Sequence, residues 1–335
     1  MTDLSIPVAS ALDSRPGRNC PIDYHYSAQA IAAAAPLTCD GAWIVGGLYG
    51  NPLALELIEQ AVAAERRPAA LLFNGDFHWF DAQTDWFDQI QQGAMRHHAL
   101  RGNVETESAR TAFDPDIGCG CAYPSHVGEG VVERSNRILA KLWQTCARTG
   151  HAASLAQLPM YRHVRVADAR IAVVHGDLES LAGWSFDGDA LRDAGSRARA
   201  EQLLTQAPFD IVASSHTCAP VMQQFGNTVL INNGAAGMGN FQRDPAGVIT
   251  RVGHEPLAAL GQSRLDALRL RVLHSQQHAS VWVEAVAIDF DLAAFQRRFL
   301  ALWPPGSDAY ESYAMRIANG TGLTCAQAYG QLPAN

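Results

Sequence analysis

The stretch Gly41-Ala42-Trp43-Ile44-Val45-Gly46-Gly47-Leu48-Tyr49-Gly50-Asn51-Pro52 decides how the rest of the chain is read. Its first five residues are an unbroken apolar run ending in two glycines, the pattern of a short strand buried on both faces. Asn51 then offers a side-chain oxygen as a helix N-cap, and Pro52 suits the first helical position. Leu53, Leu57, Ile58, Ala61 and Val62 follow at helical spacing. The stretch therefore reads as strand, glycine turn, helix.

Outward from it, the same succession recurs. Ala69 to Phe73 ends in Asn74-Gly75-Asp76, and Ala99-Leu100 ends in Arg101-Gly102-Asn103. Ile171 to Val174 ends in His175-Gly176-Asp177, Ile211 to Ser215 ends at His216, and Val229 to Ile231 ends in Asn232-Asn233-Gly234. Helical patterns cover 52–66, 85–97, 131–148 and 190–206, and 280–289 alternates partly, as a strand with one buried face does. Buried strands alternating with helices predict an α/β layered fold, in which ligands collect at the carboxyl ends of the strands. The expected organisation is an N-terminal extension over 1–40, a main domain over 41–290 with an inserted cap over about 107–169, and a helical tail over 291–335. The tail is expected to pack on the outside. It and the cap are the candidate surfaces for a homo-oligomer.

Composition narrows the function classes. The 335 residues include 25 Lys+Arg against 33 Asp+Glu, a formal charge of −8, and no basic cluster, which argues against general nucleic-acid binding. No apolar run reaches the roughly 18 residues of a membrane span. The N-terminus carries Asp3, Pro7 and Pro16 in place of the basic-then-apolar layout of a signal peptide. A cytoplasmic setting is expected, in which the seven scattered cysteines are reduced thiols.

A single polar strand tip is weak evidence of a site, because an Asp there is commonly a turn former and a buried His a hydrogen-bonded core residue. The ordered series is stronger. Asp76, Asn103, His175 and His216 provide one carboxylate, one amide oxygen and two imidazoles, each directly after an apolar strand, a mixed N/O set suited to divalent Mn, Fe, Zn or Ni.

With these residues in place the sequence resembles the calcineurin-like metallophosphoesterases, whose blocks are D-x-H, G-D, G-N-x-D/E, H and G-H-x-H. Gly47-Leu48-Tyr49-Gly50-Asn51 stands at the first block, Gly75-Asp76 at the second and Gly102-Asn103-Val104-Glu105 at the third. His175-Gly176 stands at the fourth and Ser215-His216-Thr217-Cys218 at the fifth. The resemblance covers roughly 41–289. It implies two β-sheets sandwiched between helices, a four-layer α/β/β/α arrangement, and hydrolysis of a small phosphomonoester or phosphodiester by a metal-activated water.

The departures fall on one side. The resemblance implies two metals bridged by Asp76, with the second held also by Asn103, His175 and His216. The three other positions of the first metal site hold Gly47, Tyr49 and Cys218. One set is complete and the other dismantled, which favours one ion over two. The catalytic residues implied are Asp76 and Asn103, with His78 in Gly75-Asp76-Phe77-His78-Trp79 as a substrate contact or proton donor, or else a residue outside the site. Cys218 is either a further metal ligand or an inert buried thiol. Arg101 and Tyr49 are candidate substrate contacts, and Glu105 and Asp177 candidate carboxylates that orient ligands. Cys119 and Cys121, spaced C-x-C between glycines, are a weak metal-clip candidate in a cap loop. The rival reading is a catalytically silent protein that keeps one structural metal and acts as an interaction module.

Overall fold

The computed structural model of the chain describes residues 15–330, so residues 1–14 of the expected N-terminal extension and 331–335 of the tail lie outside it. The strands are β1 (Leu37–Cys39), β2 (Gly41–Val45), β3 (Ala70–Asn74), β4 (His98–Leu100), β5 (Tyr161–Val166), β6 (Ala169–Val174), β7 (Ile211–Ser214), β8 (Val221–Phe225), β9 (Thr228–Asn232), β10 (Gly247–Gly253), β11 (Leu270–His278) and β12 (Val281–Ile288). The helices are α1 (Ala28–Ala33), α2 (Pro52–Ala63), α3 (Thr84–Ala94), α4 (Asn103–Ser108), α5 (Glu129–Thr149), α6 (Ala152–Ala156), α7 (Ala194–Gln206), α8 (Gln262–Ala267), α9 (Leu292–Leu302), α10 (Asp308–Asn319) and α11 (Cys325–Tyr329).

Two six-stranded sheets result, ordered β1-β5-β6-β7-β9-β8 and β11-β12-β10-β2-β3-β4. At the centre of the first, β6, β7 and β9 run parallel; in the second, β2, β3 and β4 run parallel while β10 joins β2 antiparallel. Side chains alternate across each strand, which explains the unbroken apolar runs. Ala42, Ile44 and Leu72 of one sheet meet Ile171, Val173, Ala213 and Ile231 of the other in a shared inner core. Trp43, Val45, Leu71 and Phe73 turn outward onto α2, α3 and α5, and Ala172, Val174 and Val212 turn outward onto α1 and α7. This is the four-layer arrangement. The helix α2 starts as the sequence predicts, with Asn51 Oδ1 accepting from the amides of Leu53 and Ala54 at 3.1 Å.

The boundaries drawn from sequence shift. Within 1–40, β1 is an edge strand of the first sheet, paired with β5, and Tyr24 is fully buried with its hydroxyl donating to Glu107 Oε1 at 2.7 Å. The expected cap over 107–169 contains β5, which pairs with β6 along its whole length, and α5, which seats Ile138, Leu139, Leu142 and Cys146 in the core. That segment is the outer helical layer plus a sheet strand. Helix α7 begins later than the pattern over 190–206, because Asp193 caps it by accepting from Ser196 N at 2.8 Å. Among the described residues, no helix is long and apolar enough to cross a membrane.

The tail also differs from expectation. Phe295 and Phe299 of α9 and the following Trp303 are buried in the core against the second sheet, and Trp303 Nε1 donates to the carbonyl of Phe80 at 2.8 Å. Phe295, Phe299 and Trp303 recur every four residues on one face, which packs inward as part of the outer helical layer. Trp303→Ala should therefore lower the unfolding free energy by roughly 3–5 kcal/mol in urea titration. A loss under about 1 kcal/mol, the range of ordinary surface changes, would show the tail to be separable.

Candidate metal centre

The parallel strands of both sheets end at one edge, and there the polar tips meet. His175 follows β6, and its Nδ1 lies 2.8 Å from the carbonyl of Asn74 at the end of β3. A carbonyl only accepts, so Nδ1 carries the proton and Nε2 faces inward with its lone pair. His216 follows β7, and its Nε2 lies 3.0 Å from the carbonyl of Cys121, which fixes the proton there and turns Nδ1 inward. Asn103 Nδ2 donates to the carbonyl of Cys119 at 3.0 Å, so its Oδ1 is the inward atom.

The inward atoms converge. From His175 Nε2, Asn103 Oδ1 and His216 Nδ1 are each 3.2 Å away and Asp76 Oδ1 is 3.3 Å away. Asp76, His175 and His216 place ligand atoms within 4.8 Å of one another, all buried. Four electron-rich atoms facing one point without a donor between them repel, so the set needs one positive charge, a metal ion or a proton. Burial pulls the pKa of His175 down, but the Asp76 carboxylate and the Asn74 carbonyl more than offset this and raise it. Burial, then the neighbouring His175, pushes His216 down to about 4. Without a metal, a proton shared by this set is therefore held by His175 in preference to His216. A divalent ion fits the same place, bound by two imidazoles, a carboxylate and an amide oxygen, with backbone carbonyls orienting three of the four donors.

Local structure explains why the donors can approach. A Cβ on Gly102 would lie 2.3 Å from Asp76 Oδ1, so only glycine lets the β4–α4 turn close against the carboxylate. Asp76 adopts a left-handed backbone, φ 54°, in a turn whose amides at Asp76, Phe77 and His78 donate to the buried Glu105 carboxylate at 2.8, 3.0 and 3.3 Å. Glu105 thus orients Asp76 through its backbone. Asp177 instead accepts from the amides of Glu179 and Ser180 at 2.9 Å each and organises its own loop.

The dismantled set is filled by protein. A Cβ on Gly47 would lie 2.6 Å from the Tyr49 ring, so Tyr49 occupies the space that a side chain at 47 would use. The Tyr49 hydroxyl meets Cys218 Sγ. Burial raises the pKa of that thiol, which donates to the carbonyl of His216 at 3.3 Å. Cys218 stands outside the group of converging ligands, as an uncharged partner of Tyr49.

A cavity of about 170 Å³ opens over the centre, with Asp76, Asn103, His216, Tyr49 and Cys218 on its floor. Trp79, Tyr123, Trp184 and Tyr313 form apolar walls, and Arg316 is the cation beside it. Two expected site residues are elsewhere. His78 is fully buried, bound through Nδ1 to Asp81 at 2.5 Å and through Nε2 to Gln91 at 2.9 Å, and stacked on Phe87. Arg101 spends its guanidinium on the carbonyl of Ala156 at 3.0 Å, outside the cavity lining. Arg316 takes the place foreseen for Arg101. It sits on α10, one hundred residues after His216, and no local pattern marks it. The cysteines differ as well, since Cys119 and Cys121 are disulfide-bonded and five remain free.

No protein-family model and no curated protein matches the sequence. Among solved structures, a metallophosphoesterase from Sphaerobacter thermophilus aligns at TM-score 0.50 and 16% identity, over 84% of this chain and 100% of the other. A hypothetical protein from Pyrococcus horikoshii OT3 aligns at TM-score 0.52 and 14% identity, over 86% of this chain and 100% of the other. The shared architecture is the calcineurin-like metallophosphoesterase fold.

Two titrations follow from the centre's protons. Mn2+ binding near pH 6 should release close to one proton, from His175 alone, measured calorimetrically in buffers of different ionisation enthalpy. Release of two would show His216 titrating normally. In the metal-free protein, the contribution of His216 to stability is present above its ordinary 6.5 and lost as pH falls toward about 4. That of His175 has the opposite sign, being fully present below 6.5 and lost as pH rises through its raised pKa. Thermal unfolding of His216→Asn should accordingly lose the wild-type slope between those two pH values.

Proposed function

We propose that this chain, built on the metallophosphoesterase fold, hydrolyses a small phosphomonoester or phosphodiester at a mononuclear centre held by Asp76, Asn103, His175 and His216. The observation that carries this reading is the convergence of four lone-pair atoms from four strand tips on one buried point beneath a cavity that has an arginine at its side. A bound divalent ion of the Mn, Fe, Zn or Ni type supplies Lewis-acid polarisation and lowers the pKa of a bound water. Asp76 brings the only carboxylate among these four residues. Arg316 is held by its Nε on the carbonyl of Gly239 at 2.9 Å and by Nη2 on the carbonyl of Cys218 at 2.8 Å, leaving Nη1 to take a phosphate oxygen. Tyr49, closing the floor, borders the substrate, and the aromatic walls lower the local polarity, which strengthens both charge interactions.

One ion rather than two removes the symmetric clamp on attacking and leaving oxygens, so turnover is slow for this fold. The Tyr49 ring lodged against Gly47 also favours the second reading, a silent protein with one structural metal. Metal analysis of protein purified without added metal, paired with aryl phosphate monoesters and diesters as substrates, separates them. The enzyme carries about one ion per chain, loses roughly 100-fold in kcat/KM with Asp76→Asn, and shows a raised KM with little change in kcat for Arg316→Met. No turnover with any metal, together with a large fall in Tm when metal is stripped, would establish the structural role. Two full ions per chain in the wild type would sink the mononuclear centre. Gly47→Asp alone should not add a second ion, because the Tyr49 ring still fills the space. The triple variant Gly47→Asp, Tyr49→His, Cys218→His should add one.

A further inference from the structure

The loop carrying Cys119 and Cys121 touches the centre more closely than its place in the sequence implies. The carbonyl of Cys119 and the Sγ of Cys121 both accept from Asn103 Nδ2, at 3.0 and 3.4 Å. The carbonyl of Cys121 accepts from His216 Nε2 at 3.0 Å and from Trp184 Nε1 at 2.9 Å. Two of the four metal donors, and one wall of the cavity, therefore take their orientation from a three-residue segment closed by a disulfide. Both flanking glycines, Gly118 and Gly120, have left-handed φ values of 67° and 63°. Both are buried, but Cys121 is the one of the two that lines the cavity.

We propose that Cys119 and Cys121 form a reversible dithiol–disulfide couple, reduced by a small dithiol that enters the cavity, and that its oxidised state sets the metal affinity of the centre. The proposal rests on the mononuclear metal reading above. The reductant's thiolate attacks Cys121 Sγ, the sulfur of the cavity-lining residue, forming a mixed disulfide as Cys119 leaves as a thiolate. The reductant's second thiol then displaces Cys121. In all, the S–S bond is replaced by two thiols with two electrons and two protons gained, and the dithiol closes to its own cyclic disulfide. Once the bond is open, the spacing of the two carbonyls is no longer fixed covalently, so Asn103 and His216 lose their shared brace. Partners of this kind, one bond beyond the metal, carry about 10–100-fold in affinity.

The test uses the full chain. Air-oxidised protein and protein reduced with dithiothreitol, then freed of it anaerobically, are unfolded and alkylated for thiol counting by intact mass, and folded samples are titrated with Mn2+. The expected result is five thiols before reduction and seven after, with the Kd for Mn2+ about 10-fold weaker in the reduced form. The double variant Cys119→Ser, Cys121→Ser should show the weaker Kd whatever the redox treatment, although the wild-type comparison decides the matter even if the variant does not fold. Tight Mn2+ binding with seven thiols before reduction, or with a Kd that reduction leaves unchanged, overturns this proposal alone. Absence of Mn2+ binding in both forms overturns the metal-site reading with it, while the thiol count still reports on the couple.

Discussion

Everything at the centre depends on a pair of hydrogen bonds that tie one sheet to the other. Asn74, the last residue of β3, donates through Nδ2 to the carbonyl of Val174 at 2.7 Å and accepts through its own carbonyl from His175 Nδ1 at 2.8 Å. These bonds join the end of β3 in one sheet to the end of β6 in the other. They are buried, and a lost partner would leave an unsatisfied polar group in the core. Because the same contact sets the tautomer of His175, the clamp that positions the sheets also presents Nε2 to the other three donors.

The three positions that the resemblance assigns to a first metal, Gly47, Tyr49 and Cys218, are filled by interlocking packing. Gly47 is small enough to admit the Tyr49 ring, and the Tyr49 hydroxyl meets the buried thiol of Cys218. A side chain at 47 would strike the ring, and burial keeps the thiol beside the phenol uncharged. These uncharged contacts close the floor of the cavity. The remaining set keeps its brace of backbone carbonyls from Asn74, Cys119 and Cys121. Packing fills this side of the cavity floor, while beside it the ligand atoms of Asp76, His175 and His216 converge.

The cavity above the centre is built by the helices that come last in the chain. Helix α10 brings Tyr313 and Arg316 to its wall, while α9 and Trp303 anchor this segment through Phe299 against Phe80 and through the indole bond to the Phe80 carbonyl. Phe80 follows the Asp76 turn by four residues, so the tail is packed against the segment that carries the carboxylate ligand. The same helices that complete the core therefore also supply the arginine that lines the cavity.

What the sequence by itself determined is the local and periodic part. Apolar runs ending in Asn74-Gly75-Asp76, Gly102-Asn103, His175-Gly176 and His216 fix buried strands with polar tips, since strand burial and glycine turns are properties of a few consecutive residues. Parallel strands then bring such tips to one edge, and the layered fold and the convergence of Asp76, Asn103, His175 and His216 were legible in that order. The short edge strand β1, the strand β5 inside the supposed cap and the inward packing of the tail were not, because each is stabilised by a partner far along the chain. Tertiary structure alone decided that His78 turns into the core toward Asp81 and Gln91, that Arg101 is spent on the Ala156 carbonyl, and that Arg316 stands at the cavity. A side chain's direction follows from which neighbours satisfy its polar atoms after the layers close, and those neighbours are separated by up to a hundred residues or more. The bracing of Asn103 and His216 by the Cys119–Cys121 loop is of the same kind: the motif C-x-C is visible in the sequence, but only the folded chain sets its carbonyls against the two ligands.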